Sequence, residues 1–279
     1  RRALLAEIKA GLASREFVLF YQPIINVGEP VEVVGFEALM RWQHPTHGLL
    51  TPDKFNVAFD DQELSLPIGE VVLDSALRQM RQWLDAGIEF GCVSVNISAA
   101  QFRAGDLVNV VVSKLRKWNV PANRLILEVT ENVYMNWRAD VVGDSIRALH
   151  DAGVLIALDD FGTGYASLQH LKQFPVDRLK IDKSFISDMR DPAIVSAILM
   201  IGAGMRIKVT AEGVEEEYQF NLLRAMGCHQ VQGYLFAKPM PAEAVGAYLS
   251  SFDARRYGWQ SKAVANGSPR HNGPLVYDI

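Results

Sequence analysis

Short apolar runs alternate with longer amphipathic stretches along this chain. Eight runs read as strands: 17–24, 32–42, 92–98, 124–130, 154–160, 177–182, 207–213 and 229–234. Each is rich in β-branched or apolar residues and is bounded by Gly, Pro, Asn or Asp. Helical periods lie between them. From Ile68 to Ala86, apolar residues recur at Val71, Val72, Ala76, Met80 and Leu84, close to one helical face. Residues 107–118, 139–152, 193–205 and 215–226 read the same way, and Gly227 stands where a left-handed stop is expected. The opening RRALLAEIKAGL reads as an amphipathic helix rather than a secretory signal.

The strand runs are nearly all apolar instead of alternating, which indicates parallel strands covered on both faces. Eight such units in 279 residues fit a (β/α)8 barrel, with an open doubly wound sheet as the alternative. The first run is the exception. Only a short turn around Gly28-Glu29-Pro30 separates it from the second, so a hairpin with an antiparallel first strand is expected. The fold class is therefore α/β, a modified barrel. The pattern fades after Phe252, which sets a barrel over 1–252 and a Gly-, Pro- and Asn-containing tail over 253–279. The abrupt start suggests a piece of a longer protein.

Composition narrows the function classes. Hydrophobic residues make up 49% and charged residues 22%, an ordinary globular balance. A net charge of −4 gives no basic footprint for duplex nucleic acid. The longest charge-free apolar run, Pro192–Met205, is short of the roughly 20 residues that span a bilayer. No membrane contact is expected from this piece. Cys92 and Cys228 form no CxxC and read as two buried thiols in a reducing cytoplasm.

The polar residues carry the chemistry. Glu37 lies late in the second run, and Asn96, Glu128, Asp159 and Asp160 end the next three. Lys180 and Asp182 end the sixth, Glu212 ends the seventh and Gln232 follows Val231 in the eighth. In a barrel these positions ring the C-terminal mouth, where such folds place their active sites. One acid after a strand is usually a helix cap. Seven successive strands with a polar group at the same end are not explained by capping. Two like charges about 4 Å apart repel by roughly 4 kcal/mol at an effective dielectric of about 20. Six carboxylates around one mouth therefore require protons or cations. An all-oxygen set suits hard ions such as Mg²⁺ or Mn²⁺, and adjacent Asp159 and Asp160 suit a shared two-ion site. The spacing alone does not separate phosphodiester hydrolysis from enolate chemistry. His150-Asp151 is a decoy, since it ends a helix at the opposite end of the barrel.

Together these residues resemble the EAL-domain family, the cyclic-di-GMP phosphodiesterases. Glu37-Ala38-Leu39 sits inside GFEALMRWQHPTHGLLTPDKF and is preceded by YQPI at 21–24. SVNIS, EVTE, DDFGTGYASL, KIDKSFI, AEGVE and QGYLFAKPM follow in order at 94, 128, 159, 180, 211 and 232. The resemblance covers about residues 10–250. It implies a barrel with its first strand reversed, and hydrolysis of one phosphodiester of cyclic-di-GMP to linear 5′-pGpG. It places metal ligands at Glu37, Asn96, Glu128, Asp159, Asp160 and Glu212. Two Mg²⁺ or Mn²⁺ ions are implied, with Ca²⁺ inhibitory. Lys180 is expected at the attacking water or the phosphoryl oxygens, with Glu212 a second candidate and Glu37 and Asp159 sharing the catalytic set. Gln22, Leu39, Arg41, Asp182, Gln232 and Phe236 fall around the substrate, Arg41 on a phosphate and Phe236 on a guanine. Glu131 is expected to hold the DDFGTGYASL loop without binding metal.

The resemblance further implies a homodimer, a cytoplasmic site of action, and GGDEF or sensor domains elsewhere, with any membrane anchor outside this piece. One segment departs from the family. After Phe55 the usual Ala-Glu and Gly give way to Phe59-Asp60 and Glu63, which puts the rim of the ligand pocket in question. The rival reading is a catalytically silent EAL module acting as a cyclic-di-GMP receptor or protein-interaction domain. Silent members usually lose metal ligands, and every such position is filled here.

Overall fold

The computed structural model describes residues 1–61, 63–131, 133, 139–164, 171, 174–190 and 192–257. Among these described residues ten strands form one sheet: β1 Phe17–Asn26, β2 Glu32–His44, β3 Gly48–Leu50, β4 Cys92–Asn96, β5 Leu125–Thr130, β6 Leu155–Phe161, β7 Arg178–Ile181, β8 Lys208–Ala211, β9 Gln230–Val231 and β10 Met240–Pro241. β1 and β2 pair antiparallel from Phe17↔Trp42 to Asn26↔Glu32. From β2 through β4, β5, β6, β7 and β8 to β9 every pairing is parallel. β9 then meets β1 at Ile25↔Val231, antiparallel, which closes an eight-strand barrel. β3 and β10 add short edges to β2 and β1.

The reversed first strand has a simple cause. The connection from Val27 to Val31 is too short for a crossover helix, so the chain must double back. The later connections carry helices: α1 Arg2–Ala13 precedes the barrel, followed by α2 Ser65–Asp85, α3 Ala99–Arg103, α4 Leu107–Trp118, α5 Ala139–Asp151, α6 Lys183–Ser187, α7 Ala193–Met205, α8 Glu217–Ala225 and α9 Val245–Ser251. α2 buries Ile68, Val72, Leu73, Ala76, Leu77 and Met80 against the strands, as its period requires. Asn119 takes a left-handed φ of 49° and closes α4. No helix among the described residues is long and apolar enough to cross a membrane.

Some details differ from the sequence reading. α3, α6, α9 and the two edge strands were not expected, being too short to show a period. The eighth strand is two residues, not six, because Gly233 is jammed against Val214 and ends the ladder there. Cys228 is buried, and its thiol is pushed up to about 12 by that burial. Cys92 is only half-buried, its Sγ 3.5 Å from Asn123 O, so the two thiols do not share one environment. Packed structure continues past Phe252: a short turn at Ala254–Tyr257 sets the Tyr257 ring 4.8 Å from Phe236. Residues 258–279 of the tail lie outside the described residues.

Candidate active site

The strand ends bring the predicted carboxylates to one place. Lys180 on β7 is 2% exposed and stands at their centre. Its Nζ lies 2.5 Å from Glu212 Oε1, 2.6 Å from Glu128 Oε2, 3.4 Å from Asp159 Oδ1 and 3.5 Å from Glu37 Oε2. Strand register sets the neighbouring levels from which they converge. Asn96 on β4 is level with Glu128 on β5, and Thr130 with Asp159 on β6. Inward positions on parallel neighbours thus share a level of the barrel.

Electrostatics makes this group unusual. Burial depresses the pKa of the Lys180 ammonium, but Glu128, Glu212, Glu37 and Asp159 overcome it and hold it well above the usual lysine range. Burial also drives Glu128 well above the ordinary carboxylate range, with Glu37 adding and Lys180 opposing. Glu212 is pushed up to about 8 by burial, again against Lys180. One ammonium is insufficient for the negative charge gathered here.

Asp159 and Asp160 need a special backbone. A regular strand sends consecutive side chains to opposite faces. Asp160 takes a left-handed φ of 54°, and the β6–β7 register shifts between Leu158 and Phe161. Asp160 thereby stays within the field of Asp159 and Asp182, and burial followed by those two charges raises its pKa. Short polar side chains tolerate this conformation better than most.

A second network joins the antiparallel strand to the site. Gln232 Nε2 donates to Glu37 Oε2 at 2.7 Å and to Gln22 Oε1 at 3.1 Å. Gln22 Nε2 donates to Ala237 O at 3.2 Å, and Asn96 Nδ2 to Glu37 Oε1 at 3.1 Å. Glu37 is therefore fixed through both oxygens. Gln22 and Glu37 face each other directly in the β1–β2 register, so reversing β1 is what places Gln22 here. Arg41 is buried on β2; burial lowers its pKa, opposed by Tyr234, Glu37 and Asp53. Its Nη1 donates to Met40 O at 2.8 Å. Leu39 is half-buried opposite Phe20. Asp182 uses Oδ1 to accept from Ser184 N at 2.9 Å, capping α6.

Glu131, 2% exposed, accepts from Gly162 N at 3.0 Å and Gly164 N at 3.3 Å. It is spatially tied to the loop after β6; Tyr165 to Leu168 of that loop lie outside the described residues. Phe236 stands differently from the expected ligand contact. Its ring packs against Phe220 at 5.6 Å and Tyr257 at 4.8 Å and is 8% exposed, leaving little to present to a base. The unusual 56–66 segment also lies elsewhere: Asp60, Asp61 and Glu63 line a cleft with Arg1, Arg2 and Lys9 of the first helix region. Tyr234, between buried Gln232 and Phe236, is exposed.

The donor set fits hard divalent ions: five carboxylates and an amide oxygen, two of the carboxylates driven up in pKa by burial. Among the described residues, no three Asp, Glu, His or Cys side chains already form a ready metal shell, since Lys180 holds the middle of the cluster.

Comparison with known proteins decides the family. The EAL domain model matches residues 5–239. The chain belongs to the EAL-domain family. This EAL domain is 44% identical over 252 residues to the bifunctional diguanylate cyclase/cyclic di-GMP phosphodiesterase MucR of Pseudomonas aeruginosa, covering 88% of this chain and 36% of that protein. It is 38% identical to the cyclic di-GMP phosphodiesterase NbdA of the same organism, covering 88% of this chain and 32% of NbdA. A solved structure of the PaMucR phosphodiesterase in complex with c-di-GMP superposes with a TM-score of 0.83, covering 87% of this chain and 99% of that one. The EAL domain thus spans about a third of the length of these curated relatives.

Proposed function

We propose that this EAL domain hydrolyses one phosphodiester bond of cyclic-di-GMP to linear 5′-pGpG, using Mg²⁺ or Mn²⁺. The observation that carries the reading is the ring of Glu37, Glu128, Asp159 and Glu212 around buried Lys180 at the barrel mouth. Membership of the family and the names of MucR and NbdA support the substrate. Glu37, Asn96, Glu128, Asp159, Asp160 and Glu212 would hold two ions. When bound, such ions lower the pKa of water and offset the charge of phosphoryl oxygens.

The side chains have separable tasks in this reading. Lys180 supplies a fixed cation beneath the reacting phosphodiester, and desolvation strengthens its field. Arg41 offers a planar fork to a phosphate. Gln22 and Gln232 fix Glu37, so the amide chain sets the geometry of one carboxylate. Glu131 positions the loop after β6 by accepting from the Gly162 and Gly164 amides. Leu39 and Asp182 stand at the substrate rim. Cytoplasmic action, a homodimer and adjacent GGDEF or sensor domains belong to the same proposal; the share of its relatives that this chain covers supports the last of these. Asp159→Ala and Glu37→Ala test the site, and both are expected to abolish turnover in a folded protein. Wild-type turnover in either variant would overturn the assignment.

A further inference from the structure

Gln219 has no part in the chemistry described so far, although its amide is sealed inside the protein at 4% exposure. It stands in the first turn of α8. Its Oε1 accepts from Glu215 N at 2.8 Å and Glu216 N at 3.0 Å, and the Glu216 side chain accepts from Gln219 N in return. That half of the amide makes a helix cap. The other half does something a cap does not need. Gln219 Nε2 donates to Ile186 O at 3.0 Å, which reaches across to α6.

The two segments joined by this amide both leave the site. α6 follows directly on Lys180, Ile181 and Asp182, and the loop after β8 runs from Glu212 to α8. They are in close contact at their near ends. Gly213 has a left-handed φ of 68°, and a Cβ there would lie 2.5 Å from Lys183 Cβ. Glu212 N donates to Ile181 O at 3.1 Å and Val214 N to Gln232 O at 3.0 Å. At the far end the Glu215 and Glu216 amides are held by Gln219. Glu212, with Oε1 2.5 Å from Lys180 Nζ, therefore sits on a loop pinned at both ends to the element that carries Lys180.

We infer that Gln219 is a positioning residue for Glu212, clamping the loop after β8 onto α6 so that this carboxylate is preorganised for a divalent ion; this rests on the proposed metal site. Gln219 touches none of the residues assigned to the ions or the nucleotide through its amide. Its loss is therefore read in metal affinity, with KM for the nucleotide retained. The coupling is reciprocal: a clamp that favours the ion is itself tightened when the ion binds.

The test measures Mn²⁺ binding by calorimetry without nucleotide, for the wild type, Gln219→Ala and Gln219→Glu, with thermal melts to establish folding. Gln219→Glu keeps acceptor oxygens for the cap and lacks the donor to Ile186 O. A capping role alone would leave Gln219→Glu at wild-type affinity, whereas the clamp requires both variants to weaken. Outer-shell losses cost about 10–100-fold in metal affinity, and the lower end, about 10-fold, is expected because Gln219 holds the loop and not the carboxylate itself. Turnover of cyclic-di-GMP should fall at limiting Mn²⁺ and recover at saturating Mn²⁺, with KM for the nucleotide within about twofold of wild type. A Mn²⁺ Kd raised by less than about threefold in either folded variant overturns the inference. Hydrogen exchange on the wild type decides the matter even if the variants do not fold: Mg²⁺ should slow exchange of the Glu215 and Glu216 amides, and unchanged exchange overturns the clamp. A wild type that binds Mn²⁺ without hydrolysing cyclic-di-GMP would fell the proposed reaction and leave the clamp to be decided by the affinities. A wild type that binds no Mn²⁺ would fell both.

Discussion

Replacing Lys180 by Met should destabilise the protein in a pH-dependent way. The ammonium touches Glu212 at 2.5 Å and Glu128 at 2.6 Å, and Glu128 is only 1% exposed. A contact of about 3 Å gives roughly 5 kcal/mol of attraction at an effective dielectric of about 20, before desolvation is counted. Removing one partner of a buried pair leaves the other uncompensated, which typically costs about 3–5 kcal/mol. Glu37 and Asp159 lose the same cation as well, so a loss within that range is expected at pH 8. The protein can escape by protonating Glu128 and Glu212, whose pKa values burial already raises. Each proton taken up becomes easier by about 1.4 kcal/mol per pH unit. At pH 5.5 the loss should therefore shrink by at least 1–2 kcal/mol, an order-of-magnitude figure. Urea unfolding in EDTA measures both. Adding Glu128→Gln to Lys180→Met should recover about 1 kcal/mol or more, because the pair is coupled. A loss below about 1 kcal/mol at pH 8, or equal losses at both pH values, would refute the reasoning.

The wild type in EDTA has its own pH dependence. Folded Glu212 titrates at about 8 against an ordinary 4.5, so the native state keeps a proton that the unfolded chain has released. Stability should therefore be greatest near pH 5 and fall by up to about 1.4 kcal/mol per unit toward pH 8; a flat or rising urea midpoint would contradict this. Glu131→Ala removes the acceptor of Gly162 N and Gly164 N, and should accelerate hydrogen exchange of those amides while β5 and β7 stay protected. Gly233→Ala forces a Cβ against Val214 O, and a loss of about 1–3 kcal/mol or more is expected on urea unfolding. Glu63→Lys breaks a contact to Lys9 that is about three-quarters solvent-exposed, so stability should change by less than about 1 kcal/mol and KM should hold.

Much of this was legible in the chain. The eight apolar runs and the short turn after Asn26 were enough for a barrel with its first strand reversed, because burial on both faces and loop length are local properties. The carboxylates at strand ends were legible because parallel strands bring equivalent ends together. Three features were not. The ammonium at the centre of the cluster depends on strand register, which no single run encodes. Phe236 and Tyr234 look alike as rim aromatics, and only the turn pinned to Val214 sends one inward and leaves the other in solvent. The 56–66 segment read as ligand rim because of its place after Phe55, yet it faces the first helix.

The most direct test of the central claim is chromatographic. Purified protein is incubated with cyclic-di-GMP and Mg²⁺ or Mn²⁺, with Ca²⁺ and chelator arms beside it. The account predicts pGpG with Mg²⁺ or Mn²⁺, little with Ca²⁺ despite binding, and none with chelator. Ligand bound but no pGpG in any arm would contradict it, and would make the same barrel a receptor for the nucleotide.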